Sequence, residues 1–520
     1  MSDDRTFGLQ TAKNAIWNSA FFVFSVFFGF ITAPILVRKI GVDGFGLYGL
    51  IISVLAPLNL TNLGFGEATV KFVAQFYKEK NFGKVQEYIS TTFFMSLCVG
   101  VFGAVALAFF GSSLAEAVFK IPVQQKIIVQ QIFYVVAAGW FIQSIMSIFI
   151  AILPAVQNYK SLTIGNTILL VINSSLAICV VLFGGGLLGY TIATVTGTLI
   201  SLIWWYVVTK RMLPQITFVP KLYKSAWQSS FRFGGWHTIG QVGGIMANQS
   251  DKYLLGTFLS TTAVGIYNVA LSIEQTAYLS IWRLAEVLFP AFSSISNEPR
   301  EHHFRLLMRA TWLLTALAVS ALISVIPISY DLLKLWINED VARQGSIVLQ
   351  MLCLGGTLGC AQNATYFYIL GTGRTKLLAL FSIISGVITF SVAFSVLPVY
   401  GLKAAGVSGV AAQIVFNLIV YPILYRKIFG KNLSFKTLFS AMYFPVLIGL
   451  GIAVGLSMSG LIHADNWFVL VFWYFLIAGI TLSLIILLNR ITPGYREREN
   501  DMRLITERVI INIKQYIRKK

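Results

Sequence analysis

Charge is what this chain has least of. Only 11% of its 520 residues are Asp, Glu, Lys or Arg, whereas soluble domains use about a quarter. A water-soluble globular domain is thereby excluded. Histidine is nearly absent too: His237, His302, His303 and His463 are scattered, and no His-Glu-x-x-His pattern occurs, so zinc-hydrolase chemistry has no ligand set. No metal site is expected. Cysteine is equally sparse, and Cys98, Cys179, Cys353 and Cys360 fall inside apolar runs without ligand spacing, which makes them small core residues that say nothing about redox compartment. A Walker A loop is missing as well, because the nearest stretch, Gly371-Thr-Gly-Arg-Thr-Lys376, lacks the spacing and the terminal hydroxyl that wrap phosphates. Catalytic residues are therefore not expected, nor is ATP hydrolysis by the chain itself.

What fills the sequence instead is apolar, with 57% hydrophobic and 14% aromatic residues. Runs of about 20 such residues specify membrane-crossing helices, whereas barrel strands would read as ~10-residue alternating segments. The expected fold is all-α and polytopic, with about fourteen transmembrane segments at 13–37, 44–64, 89–111, 127–152, 162–184, 187–209, 233–257, 263–290, 309–330, 343–369, 375–399, 401–425, 438–461 and 466–488. The apolar run after Lys13 is too long for a cleavable signal peptide and shows no small-residue cleavage site, so the first segment is expected to stay.

The sequence repeats itself. An offset of 219 places Gly46-Leu47-Tyr48 on Gly265-Ile266-Tyr267, Trp17 on Trp236, Ser53 on Ser272 and Glu67 on Glu286. Shifting segments 3 to 6 by the same offset brings them close to segments 9 to 12, so a six-helix unit occurs twice and segments 13 and 14 are an addition. An even number of spans per copy makes the repeats parallel, related by an axis along the membrane normal. The expected organisation is a lobe at 1–209, a cytoplasmic linker at 210–232, a second lobe at 233–430, two further helices in 431–489 and a basic tail at 490–520.

Basic residues orient the bundle. With the N-terminus in the cytoplasm, 30 Lys and Arg fall inside and 8 outside, Arg283 lying within segment 8, a strong positive-inside bias. Both termini are placed in the cytoplasm. The net charge of +19 is thus dispersed over short loops, and nucleic acid is not an expected partner. In the tail, Ile505, Val509, Ile513 and Tyr516 recur at helical spacing among Arg503, Arg508, Lys514 and Arg518. That pattern reads as an amphipathic helix on an anionic leaflet, or as a solvated basic tail.

Polar residues inside the spans need a reason, since Arg or Asp at a helix centre is penalised by ~2.5–3.5 kcal/mol on insertion scales. Segment 7 sets His237, Gln241, Gly244, Asn248 and Lys252 within an arc of roughly 80° at about 100° per residue. Segment 1, its repeat mate, sets Asn14, Asn18, Ser25 and Thr32 within ~40° on the same arithmetic. Two equivalent stripes face either one shared substrate cavity or dry helix–helix interfaces. Arg283 joins the cavity candidates. Segment 8 also carries Glu274, a lone carboxylate and the expected proton or cation site unless another helix pairs with it. Arg283 and Glu286 are three apart and Glu67 and Lys71 four apart, which suits interfacial pairs or a substrate gate.

The stretches Pro34-Ile-Leu-Val-Arg-Lys-Ile-Gly-Val-Asp-Gly-Phe-Gly-Leu-Tyr48 and Asn62-Leu-Gly-Phe-Gly-Glu-Ala-Thr-Val-Lys71 resemble the N-terminal signature of the polysaccharide-transporter family of lipid-linked oligosaccharide flippases. Asn248-Gln-Ser-Asp-Lys-Tyr-Leu-Leu-Gly256 and Val264-Gly-Ile-Tyr-Asn-Val-Ala270 resemble its second-half counterpart. The likeness covers roughly residues 10–430. It implies a bacterial inner-membrane protein of the multidrug and oligosaccharidyl-lipid exporter superfamily. Such a protein moves a polyprenyl-(pyro)phosphate-linked oligosaccharide to the outer leaflet by alternating access, coupled to H+ or Na+, for O-antigen or exopolysaccharide biosynthesis. Asp251 and Lys252 match the polar end of the second motif, and Arg38, Gly41, Gly46 and Tyr48 match the first. Asp251 thereby becomes a second ion-coupling candidate, and partners would be the bilayer, the lipid-linked glycan, a glycan polymerase and glycosyltransferases. No cofactor is implied. A multidrug-type cation antiporter shares the fold and stays open as an alternative. A membrane glycan polymerase or ligase is disfavoured, because every loop placed outside is about fifteen residues or shorter.

Overall fold

The computed structural model describes residues 2–62, 65–156, 158–289, 299–430 and 435–491, together with Phe292. Among them the chain is helical without strands. The basic tail beyond 491, with the proposed amphipathic pattern, lies outside the described residues, as do the side chains of Asn14, Asn18 and His237.

Helix α1 spans Ser2–Leu55 and is broken at Gly41, whose φ of 79° and ψ of 161° are closed to a side chain-bearing residue. The first two expected segments therefore follow one another through a glycine break. Then come α2 (Phe65–Lys78), α3 (Phe82–Ala106), α4 (Ser112–Val118), α5 (Lys126–Ala155), α6 (Tyr159–Leu182) and α7 (Gly186–Met212). The second half holds α8 (Lys224–Phe258), α9 (Thr261–Glu286), α10 (Arg300–Leu322), α11 (Ser329–Trp336), α12 (Glu339–Gly371) and α13 (Thr375–Tyr400). It continues with α14 (Val407–Val415), α15 (Tyr421–Phe429), α16 (Phe435–Leu438), α17 (Phe444–Ser459) and α18 (Trp467–Leu488). Asparagine starts four of these helices: Asn81, Asn158, Asn338 and Asn466 each accept a backbone N–H three residues on, at 2.9–3.1 Å.

Eleven helices among the described residues are long and apolar enough to cross a membrane, rather than fourteen. Two causes account for the difference. Segments 1 and 2 are continuous in α1, and α8 and α9, at 35 and 26 residues, have the length but are made too polar by the residues singled out above. The protein is a multi-pass membrane protein.

Close contacts divide the chain into two compact units. The first contains residues up to Val269 with Lys376–Ser408. Its helices approach at small residues: a side chain on Gly165 would enter the Trp205 ring, one on Gly103 the Trp140 indole, and one on Gly243 the backbone of Ser382 and Ile383. The expected linker is strapped down here. Gln86 donates to the Thr217 carbonyl at 2.6 Å and accepts from its N–H at 2.8 Å, and Tyr223 N–H donates to Thr91 at 3.1 Å. Helix α8 starts directly after, at Lys224 rather than 233.

The second unit contains Ala270–Thr375 and the residues from Gly409 onward. Helix α10 lies at its centre, buried along most of its length. The two additional helices pack on it, α17 through Gly449 against Val319, and α18 through the Tyr474 hydroxyl, which donates to the Ala321 carbonyl at 3.3 Å. The opposite face of α18 is exposed and apolar, with Phe468, Phe472 and Phe475 outward, as a lipid-facing helix requires.

Candidate functional site

Within the first unit, repeat mates touch one another. A Cβ on Gly46 would fall on Thr261 O and Gly265 N, and a Cβ on Gly265 would fall on Val42 O. Gly46 and Gly265 are 219 apart, as are Val42 and Thr261. Around this pair the Thr262 hydroxyl donates to the Asp43 carboxylate, and Gly49 sits against the Asn268 amide, which are again mates. A contact in which residue i meets j's mate and j meets i's is isologous. The local pseudo-twofold axis therefore runs between the second part of α1 and the start of α9. Glycine on both sides lets two backbones meet with no side chain between them. Deeper along the crossing, Ser53 is buried, donating to Gln249 at 3.3 Å and accepting at its carbonyl from Tyr253 at 2.6 Å.

A cavity of about 380 Å³ with a mixed polar and apolar lining opens in the same unit. Its polar lining is Asn59, Glu67, Thr92, Ser96, Ser147 and Gln241, and its apolar lining includes Phe65, Met95, Val99 and Ile148. Helices α2, α3, α5 and α8 thus converge on it. Their hydroxyls are partly committed: Thr92 and Thr69 share a hydrogen bond at 2.6 Å, and Ser147 donates to the Ser144 carbonyl at 2.7 Å. Gly66 opens onto the cavity with no atom within reach of a Cβ.

The expected site residues separate in this structure. Gln241 and Glu67, from two different expectations, meet at the cavity. Ser25, Thr32 and Asn248 turn back onto their own helices, donating to Phe22, Phe28 and Gly244 carbonyls at 2.7, 2.7 and 2.8 Å. Lys71 lies over the Phe72 ring at 5.2 Å. Arg283 pairs with Glu286 at 2.9 Å, both about half exposed, an arrangement of little energetic weight. Asp251 is buried and collects three donors, Ser408 Oγ at 2.6 Å, Tyr267 OH at 3.2 Å and Gly406 N–H at 3.2 Å. It fastens α8 to the start of α9 and to the turn before α14. Lys252, the next residue, is half-buried and takes no part in that network.

Glu274 contrasts with Asp251. It is buried in the second unit at 8% exposure, and among the described residues no hydrogen bond or ion pair reaches its carboxylate. It lies against Gly356 of α12, where a Cβ would strike its Oε1. One turn on, Tyr278 donates to Asn363 Oδ1 at 3.2 Å, and the Asn363 amide nitrogen is buried without a partner. Gln413 and Gln362 hydrogen-bond nearby. The amides Asn363, Gln362 and Gln413, and the hydroxyls Thr92, Ser96 and Ser147, escaped the sequence reading. Their signal was available as polar residues within spans, Thr92 and Ser96 being one helical turn apart.

A family model described as polysaccharide biosynthesis protein matches residues 11–296, more than half of the chain. The chain belongs to this family. A putative O-antigen transporter of Shigella flexneri is 19% identical over 423 residues, covering 81% of this chain and 98% of the relative. Among solved structures, the lipid II flippase MurJ in an inward closed conformation superposes with a TM-score of 0.69 at 15% identity, over 90% of this chain and 98% of that one. An inward-facing multidrug resistance MATE family transporter of the MOP superfamily gives 0.68 at 14%, over 80% and 98%. At such identities the two structures carry the fold alone. This member of the polysaccharide biosynthesis protein family has a MOP-type fold.

Proposed function

We propose that the chain is a flippase that carries a polyprenyl-(pyro)phosphate-linked oligosaccharide from the cytoplasmic to the outer leaflet of a bacterial inner membrane. The observation that carries this reading is the family match over residues 11–296, joined to a relative matched along 98% of its length. The mechanism is alternating access between the repeat lobes 1–209 and 233–430. The crossing of repeat mates at Gly46 and Gly265 supports it, because a contact on the pseudo-twofold axis closes or opens symmetrically when the lobes rock. Both termini are cytoplasmic by the charge bias.

The polar headgroup rides in the cavity that Gln241 and Glu67 share, while the lipid tail remains in the bilayer. Coupling to a proton or sodium gradient falls to Glu274, which has a buried carboxylate with no partner among the described residues, and not to Asp251, whose oxygens are taken. Glycosyltransferases would supply the substrate and a glycan polymerase would consume it. Deletion in a strain without a redundant flippase is expected to accumulate the lipid-linked glycan on the cytoplasmic leaflet, with rescue by the wild-type chain. Normal outer-leaflet delivery without the protein would defeat the reading.

A further inference from the structure

The stretch that joins the repeats carries its charge with one sign only. From 117 to 250 the sequence has no Asp or Glu, and five of its eight Lys and Arg fall within 210–232. Aromatic residues bracket that stretch, with Trp204, Trp205 and Tyr206 late in α7 and Trp227 and Phe231 in the first two turns of α8. Such belts mark headgroup level. Between Met212, where α7 ends, and Lys224, where α8 begins, the chain is not helical, yet it is firmly seated. Leu213 and Ile216 are buried with Val85, Ile89 and Ile152, and Phe218 packs on Phe149 and Tyr206 at 5.1 and 5.9 Å. Besides the two bonds from Gln86 to Thr217, the Lys221 N–H donates to the Ser90 carbonyl at 3.3 Å, and Lys210 Nζ donates to the Pro214 and Ile216 carbonyls at 3.1 and 2.8 Å. The outer side of this strap is therefore fixed. It presents Val219 and Leu222, 55% and 48% exposed, with Phe231 at 45%, and Arg211, Lys221, Lys224 and Arg232 are exposed among them. Water suits the cations but not the apolar side chains, and hydrocarbon suits the reverse. A bilayer interface suits both, because basic side chains lay their stems on apolar surface while their heads reach lipid phosphate.

We infer that the strap is a binding surface for anionic phospholipid, whose headgroup phosphate is taken by Lys221 and Lys224 and whose acyl chains lie against Val219, Leu222 and Phe231. A zwitterionic headgroup brings an ammonium that the same cations repel, so the surface selects by net charge. Glu87, the acid next to Gln86 on α3, is itself paired with Lys84 at 2.7 Å. The ligand is a resident of the bilayer and not the transported molecule, so this inference and the flippase reading fail independently.

The test places a bimane fluorophore on L222C in the full chain, with Cys98, Cys179, Cys353 and Cys360 replaced by alanine. Vesicles of phosphatidylcholine with about 25% phosphatidylglycerol, an anionic surface of the kind the strap would meet, are prepared twice at the same composition. A doxyl quencher near the headgroup end of an acyl chain is carried by the phosphatidylglycerol in one preparation and by the phosphatidylcholine in the other, at equal mole fraction. At low ionic strength the labelled phosphatidylglycerol should quench about twofold or more better, from two cations at the site. The excess should shrink in about 1 M salt, where the Debye length falls to roughly 3 Å. K221Q/K224Q should remove about half of the excess or more, with quenching by labelled phosphatidylcholine and the unfolding temperature unchanged. The same fluorophore on F468C, exposed at the first turn of α18, should be quenched equally by the two lipids. Inorganic pyrophosphate at matched ionic strength should leave the excess at the strap as it was. Quenching by neither lipid would put the strap in water or under a protein and overturn the inference. Equal quenching at low salt, an equal preference at F468C, an excess that survives K221Q/K224Q, or one that pyrophosphate removes would overturn it as well.

Discussion

The hydroxyl of Thr262 donates a hydrogen bond to the carboxylate of Asp43, and the two residues are 219 positions apart, the interval that superimposes the halves of the sequence. Mates can touch only where the axis relating them passes. The crossing of α1 and α9 is therefore the place in the described structure where symmetry itself dictates contact, and glycine at 46 and 265 permits it.

Because backbone, and not a flexible side chain, faces Gly46, an added side chain has nowhere to go. G46L or G265L should push the crossing apart, overpacking of this kind costing about 1–3 kcal/mol or more. The measurement is labelling of S53C, buried beneath the crossing, by a membrane-impermeant thiol reagent in a background without the native cysteines. Labelling from one face of the membrane should rise severalfold. G29L, at a glycine with open space around it, should leave labelling unchanged.

Asp251 is expected to stabilise and not to couple. D251N keeps the shape but weakens the acceptor for Ser408 and for the Gly406 N–H, a loss of about 1–3 kcal/mol for buried charged hydrogen bonds. Thermal unfolding in detergent should shift down, while transport per folded molecule and its gradient dependence are retained. Loss of gradient dependence in a normally stable D251N would reverse the roles given to the two acids.

Glu274 is expected to behave the other way. With no partner among the described residues to strand, E274Q should unfold at the wild-type temperature or higher, and yet lose the dependence of transport on a proton or sodium gradient. G356A keeps the carboxylate but sets a methyl on its Oε1, so it should impair coupling as well. Transport assays across imposed gradients, with expression checked, decide both.

The repeat, the helical fold and the glycine motif were legible in the sequence because periodicity and composition record them directly. The polar stripes were less informative, for a physical reason. A Ser, Thr or Asn on a helix satisfies itself as readily on its own backbone as across a cavity, and Ser25, Thr32 and Asn248 do so while Gln241 does not. Segment count was obscured by Gly41, where one helix breaks without a loop, and by the polarity of α8 and α9. The other walls of the cavity, Thr92, Ser96 and Ser147, stand out as polar residues within spans, but nothing local in the sequence says that they meet. Only packing brings them to Glu67 and Gln241.

The most direct measurement is translocation of a fluorescent polyprenyl-pyrophosphate-linked oligosaccharide in vesicles containing only D43C/T262C protein, with the native cysteines replaced. Movement between leaflets should depend on the protein, stop when the pair is oxidised to a disulfide and return on reduction. Absence of protein-dependent movement, or movement that continues at full rate through the disulfide, would contradict a flippase that works by opening this crossing.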